Sequence, residues 1–154
     1  MPNAAYQSPT VSFADVAHQT LIFDRRIESN RLILDLIDTR WIQRLRDISQ
    51  TGNTKLVYMF AEHSRFGHSL GVAYLASLLM KSMREKNYAA VAPYENAVAA
   101  AAILHDAGHV APGSHLAEKI WAPGSAGQHE QVTLRIIKED EQIREILSSC
   151  HPGL

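Results

Sequence analysis

The stretch from Arg65 to Lys86 contains no proline and repeats apolar residues at three-to-four spacing. Only an α-helix of several turns keeps such a pattern on one side. Val72, Leu75, Leu78, Leu79 and Met83 define the expected inward face, and His68 falls on the same face one turn from the helix start. The next segment, YENAVAAAAILHDAG, follows Pro93, a residue suited to a first helical turn. There Val98, Ala101, Ala102 and His105 share one side, and the alanine run permits a neighbouring helix to approach closely. Two such helices side by side would bring His68 and His105 within reach of one metal ion. Gly108 suits the exit from the second helix.

The remaining segments extend the helical theme. Asn30 is a candidate N-cap for a helix carrying Leu32, Leu36 and Ile37. Thr39 can cap another, with Ile42, Leu45 and Ile48 as its stripe and Gly52 as its stop. The segment TGNTKLVYMFAEHS reads as a loop or short strand. HLAEKIWA suggests a short helix, SAGQHEQVTLRIIKED a longer one capped near Ser125 or Gly127 with Val132, Ile136 and Ile137 inward, and EQIREILSS a last one. Near the N-terminus, residues 1–12 read as a mobile polar tail, and the LIF run of SFADVAHQTLIFDRRIES fits either a strand or an irregular lead-in. The expected fold is all-α over residues 13–154, a helical bundle with room for a short strand pair near the N-terminus.

A chain of 154 residues can bury one core, and 46% hydrophobic with 20% charged residues describes an ordinary globular domain. The net charge of −1 gives no footprint for non-specific nucleic-acid or anionic-membrane binding. The arginines from Arg25 to Arg46 alternate with Asp24, Glu28, Asp35, Asp38 and Asp47, which reads as an ion-paired helical surface and leaves an effector site there open. The single Cys150 excludes a disulfide framework and suits a reducing compartment, no apolar run is long enough for a membrane span, and the N-terminus lacks the order of a signal peptide, so a cytoplasmic location is expected.

Chemistry concentrates in the middle of the chain, where six of the 8 histidines lie between His63 and His129. An adjacent His-Asp pair offers one nitrogen and one oxygen to a divalent ion, and His68 adds a third donor. A lone His-Asp dipeptide arises by chance roughly 0.4 times in such a composition, so its context must carry the argument.

That context is the ordered series RFGHSLGVAYLA, ILHDAGHVAPGSH and QHEQ, preceded by LIDTRWIQRLRDISQTG. Over about Leu32 to Leu134 the chain resembles the HD superfamily of metal-dependent phosphohydrolases, and most closely its deoxynucleoside triphosphate triphosphohydrolase branch. The resemblance implies His68, His105 and Asp106 as ligands of a divalent metal ion (Mn, Fe, Mg, Zn or Ni). It implies catalytic roles for His109 and His129, with Glu130 supporting His129, and substrate contacts for Gln50, Arg65 and His115. It further implies a nucleotide substrate, a last aspartate ligand beyond residue 154 in a longer protein, and a tendency to homo-oligomers, to which Trp41 or Trp121 could contribute. Gly67 departs from the acidic residue that often precedes the first ligand. Asp140, in the charged run IKEDEQ, reads as part of a solvated face. Two alternatives share the same centre: an HD phosphodiesterase or nucleotidase, and a regulatory HD module whose metal site is incomplete.

Overall fold

The computed structural model describes residues 8–86, 89–111, 119–120 and 128–150. It is a helical bundle with one hairpin, as the sequence predicts. Strands β1 (Thr10–Asp15) and β2 (Gln19–Asp24) pair antiparallel, with Thr10 opposite Asp24 and Asp15 opposite Gln19. The first strand thus begins inside the stretch read as a tail. Alternation along β2 turns Leu21 and Phe23 into the core and leaves Ile22 outside. The Asp15 carboxylate closes the turn by accepting from the amides of Ala17 and His18.

Helix α1 (Glu28–Ile37) is the centre of the bundle, with Leu32, Ile33 and Leu36 fully buried. It starts before Asn30, the predicted cap, which lies inside the helix. Tertiary contacts fix that start: the Ser29 hydroxyl donates to Glu95 and the Asn96 amide donates to Glu28. A short helix α2 (Arg40–Gln43) tightens into a 3₁₀ turn over Arg44–Asp47, so the helix ends well before Gly52. Ile42, Leu45 and Ile48 are buried as expected. Thr39 stands at the N-cap position, but its hydroxyl donates backwards to the Leu36 carbonyl. A second 3₁₀ turn (Gly52–Leu56) leads to helix α3 (Arg65–Glu85), capped by the Ser64 hydroxyl. A 3₁₀ turn at Ala92–Tyr94 carries Pro93 into helix α4 (Glu95–Leu104). Helices α5 (His129–Glu139) and α6 (Glu141–Cys150) complete the described chain, and Ile143 seals the core beside α1. Gln128 occupies the cap of α5; Ser125, Gly127 and most of HLAEKIWA lie outside the described residues.

Helix α3 exposes the face that periodicity alone assigns to the interior. Leu75, Leu78 and Leu79 are exposed, whereas Phe66, Ser69, Leu70, Ala73 and Met80 are buried. Both faces are apolar, so spacing cannot choose between them. The choice is tertiary: Tyr74 meets Phe23 edge-on at 5.8 Å between ring centroids, and α3 packs on α4, whose buried side is Asn96, Ala99, Ala100, Ile103 and Leu104. Among the described residues no helix is long and apolar enough to cross a membrane.

Candidate metal centre

His68 on α3 and His105 at the end of α4 stand at the edge of the interhelical core. Their side chains are 35% and 36% exposed, while that of Asp106 is 7% exposed. The two imidazole Nε2 atoms lie 3.3 Å apart. His68 Nε2 is 3.7 Å from Asp106 Oδ2, and His105 Nε2 is 3.3 Å from Asp106 Oδ1. Ligand bonds of about 2.0–2.2 Å at tetrahedral or octahedral angles place donors about 3.0–3.5 Å apart; two of the spacings fall in that range and the third lies just beyond it, close enough for one ion. The tautomer suits it as well. His105 Nδ1 lies 2.9 Å from the Ala102 carbonyl, which can only accept; the proton of a neutral ring therefore sits on Nδ1 and the Nε2 lone pair faces the cluster. The donor set of two imidazoles and a carboxylate fits a divalent cation.

Electrostatics prepares the same donors. Burial lowers the His68 pKa, and the neighbouring His105, Arg65 and His63 add to this against the opposing pull of Asp106. Its ring is thereby favoured in the neutral form that binds metal. Burial alone would raise the Asp106 pKa, yet its hydrogen bond with His109 and the charges of His105, His109 and Arg65 hold it well below the usual carboxylate range. Arg65 Nη1 donates to Asp106 Oδ2 at 2.7 Å, with the two side chains 4% and 7% exposed. The Arg65 guanidinium, expected to contact substrate, is buried and directs Nη1 at the aspartate.

Behind the triad lies a second cluster. His109 Nε2 is 3.4 Å from Asp106 Oδ1, and the His109 and His129 rings stack at 3.8 Å between centroids and 14° between planes. His129 Nε2 is 3.4 Å from Glu130 Oε1. Although Asp106, His109 and His129 bring ligand atoms within 4.8 Å of one another, near-parallel stacking opposes a second ion. An ion in the plane of one ring lies well out of the plane of the other, where no lone pair points. The stacked pair is better suited to moving protons or meeting an anion.

Three further residues hold this region, of which the sequence marked only Gly108, as a helix exit. A Cβ on Gly108 would lie 2.5 Å from the Thr133 amide nitrogen and collide with the His129 carbonyl, so the glycine is needed for the close approach of α5. Thr133 accepts from the Gly108 amide and donates to the His105 carbonyl. Arg44 donates to the carbonyls of Ala107 and His109. A threonine on the inward stripe of α5 was the available signal for Thr133; none marks Arg44 among its neighbours.

Other expected residues fall elsewhere. Gln50 lies beside the entry to α3, its backbone N–H donating to the His63 carbonyl, and its buried Oε1 has no hydrogen-bond partner among the described residues. His115 and Trp121 lie outside the described residues. Asp140 is not on a solvated face: it is 8% exposed, accepts from Arg40 and Trp41 Nε1, and receives the Ile143 amide at the start of α6.

Residues 65–150 match the HD domain family. The chain is 40% identical over 124 residues to the uncharacterized protein YwfO of Bacillus subtilis, which covers 80% of this chain and 28% of that protein. It is 41% identical over 99 residues to the deoxynucleoside triphosphate triphosphohydrolase SAMHD1 of Danio rerio, covering 63% of this chain and 16% of that protein. The crystal structure of a phosphohydrolase from Bacteroides thetaiotaomicron superposes with a TM-score of 0.69 and 30% identity, over 90% of this chain and 34% of that one. In each case the chain spans about a third or less of the relative's length.

Proposed function

This chain belongs to the HD domain family, and we propose that it serves a divalent-metal-dependent phosphohydrolase acting on nucleotides, with a deoxynucleoside triphosphate as substrate and deoxynucleoside and inorganic triphosphate as products. The convergence of His68, His105 and Asp106 on one point carries this reading. Similarity to a deoxynucleoside triphosphate triphosphohydrolase supports the choice of substrate.

His68, His105 and Asp106 would hold the ion. A bound divalent cation acidifies water enough to provide a nucleophile at neutral pH and screens charge on a phosphoryl oxygen. The protein's own groups do the rest. Arg65 keeps Asp106 aimed through their buried hydrogen bond, and the resemblance assigns its guanidinium to the substrate phosphates as well. His129, 12% exposed and beside Glu130, is suited to hand a proton to the departing sugar oxygen. His109, stacked on that ring and bonded to Asp106, fixes its plane. The buried Oε1 of Gln50 would accept from a sugar hydroxyl, and His115 keeps its assignment at the substrate's edge. The activity would be cytoplasmic, and association into a homo-oligomer remains part of this proposal.

Incubation with each deoxynucleoside triphosphate in the presence of Mn, Fe, Mg, Zn or Ni, followed by ion chromatography, tests the reading. Inorganic triphosphate is the expected product. Release of orthophosphate or pyrophosphate would reject cleavage of the bond between the α-phosphorus and the sugar oxygen, and turnover of cyclic or monophosphorylated nucleotides alone would favour a phosphodiesterase or nucleotidase. His129→Ala should lower turnover by about 10²-fold or more while leaving metal content unchanged.

A further inference from the structure

The turn that follows α4 carries the ligands His105 and Asp106 as well as His109, yet it is not held by its own backbone alone. A helix end leaves its last carbonyls without intrahelical partners. Here five carbonyls of the helix end and its turn find one. The Leu104 carbonyl accepts from the Ala107 amide and the Asp106 carbonyl from the His109 amide. The His105 carbonyl accepts from the Thr133 hydroxyl at 3.2 Å. The Ala107 and His109 carbonyls both accept from one nitrogen, Arg44 Nη2, at 2.9 and 2.5 Å.

That nitrogen arrives from a distant part of the chain, and its own position is fixed. The Arg44 guanidinium lies 5.3 Å from the centroid of the Trp41 ring, whose other guanidinium contact is Arg40 at 5.2 Å. Trp41 Nε1 donates to Asp140 at 2.8 Å, and Asp140 also receives Arg40 and the first turn of α6. Asp140 joins α5 to α6, and α5 carries His129 and Thr133. One connected set of contacts therefore holds the His109 side of the turn and the helix bearing its stacking partner.

We propose that Arg44 is a positioning residue of the active site: by gripping the Ala107 and His109 carbonyls it sets the plane of the His109 ring against His129 and Asp106, while leaving the His68–His105 pair untouched. A cation at a helix C-terminus also favours the alignment of these carbonyls. Since one nitrogen makes both bonds, a point donor on a long stem can replace it in part. The catalytic consequence rests on the proposed phosphohydrolase reading; the geometric one does not.

The test compares Arg44→Gln, whose amide stops short of the carbonyls, with Arg44→Lys, whose ammonium approaches them. Histidine ring nitrogens of the metal-free chain are observed by ¹⁵N-edited NMR, metal stoichiometry is measured by titration with Mn²⁺, and hydrolysis is resolved into kcat and KM. Arg44→Gln should displace the His109 and His129 ring signals but not those of His68. It should keep one Mn²⁺ site and lower kcat roughly tenfold with little change in KM, and Arg44→Lys should recover most of both losses. His109 signals identical to wild type in Arg44→Gln would overturn the proposal. If Arg44→Gln does not fold, Arg44→Lys decides: a small displacement confined to His109 and His129 supports it, and unaltered rings in that variant reject it. Absence of hydrolysis in the wild-type chain would defeat the functional reading and leave the NMR comparison standing.

Discussion

The two halves of the site are built by different means. His68, His105 and Asp106 gather because two helices pack closely through small residues, Ala73 on one and Ala99 and Ala100 on the other, and because two of the donors are adjacent in the chain. His109 and His129 meet because Gly108 admits the backbone of α5, Thr133 bonds across the gap, and Arg44 reaches in from the 3₁₀ turn after α2. The first half needs only the packing of two helices, and its two imidazoles, 35% and 36% exposed, sit at a rim. The second needs in addition hydrogen bonds from two other elements, and its two imidazoles are almost wholly buried. The expected consequence is that binding of the ion and orientation of the stacked pair can be damaged separately.

Asp106 is the point where the two halves join, and its removal should have the largest effect. Asp106→Asn would strip an anionic ligand and remove the carboxylate from its buried ion pair with Arg65, a loss that typically costs about 3–5 kcal/mol. Urea denaturation of the apo chain should show that loss, and Mn²⁺ titration the loss of binding. An equally stable variant would mean that the Arg65–Asp106 pair does not hold the fold.

Gly108→Ala should come next. The added methyl meets backbone rather than a movable side chain, so α5 must shift, at about 1–3 kcal/mol. Gly71→Ala is the control within α3, where nothing lies within 4 Å of the new Cβ. It should stabilise the chain by about 0.5–1 kcal/mol. Matching denaturation midpoints for the two alanine variants would contradict the close approach of α5.

Thr133→Val keeps the shape and removes two hydrogen bonds, leaving the Gly108 amide and His105 carbonyl unsatisfied. About 1–3 kcal/mol is expected, with His109 NMR signals displaced and Mn²⁺ binding retained. Loss of Mn²⁺ binding would show that the two halves are not separable.

The smallest effect is a dependence on pH. The fold lowers the His68 pKa, so the folded chain binds fewer protons than the unfolded chain as pH falls below about 6.5. Stability from this source is complete above that value and declines as pH falls towards the folded pKa. Replacing His68 by Gln should flatten this slope in denaturation midpoints measured between pH 7.5 and pH 5; an unchanged slope would assign it to other groups. Asp106 contributes in the same sense at lower pH. Its share is present above about pH 4 and is lost only under stronger acid.

This division also explains what the sequence made legible. Helix order, the hairpin option and the three ligand candidates followed from spacing and short motifs, which encode local geometry. The inward face of α3 did not, because Leu75 and Leu79 are as apolar as Leu70, and only the arrival of Phe23 and α4 distinguishes them. His68 is consequently a rim residue on the exposed side of its helix, although the expected cluster forms. Asp140 was obscured by its charged neighbours, since nothing in IKEDEQ signals that Trp41 and Arg40 will bury it. Arg44 stood within an apparent run of ion-paired arginines. Its partners are carbonyls, which carry no sequence signature.

X-ray absorption on the chain loaded with one divalent metal, Zn²⁺ or Mn²⁺, addresses the central claim most directly. The account predicts one ion per chain with two imidazole nitrogens at about 2.0–2.2 Å and oxygen ligands completing the sphere, and it predicts that His68→Ala and His105→Ala each remove one imidazole from the pattern. Two ions per chain, a single ion with no imidazole scattering, or a spectrum altered by His109→Ala but not by His68→Ala would contradict it.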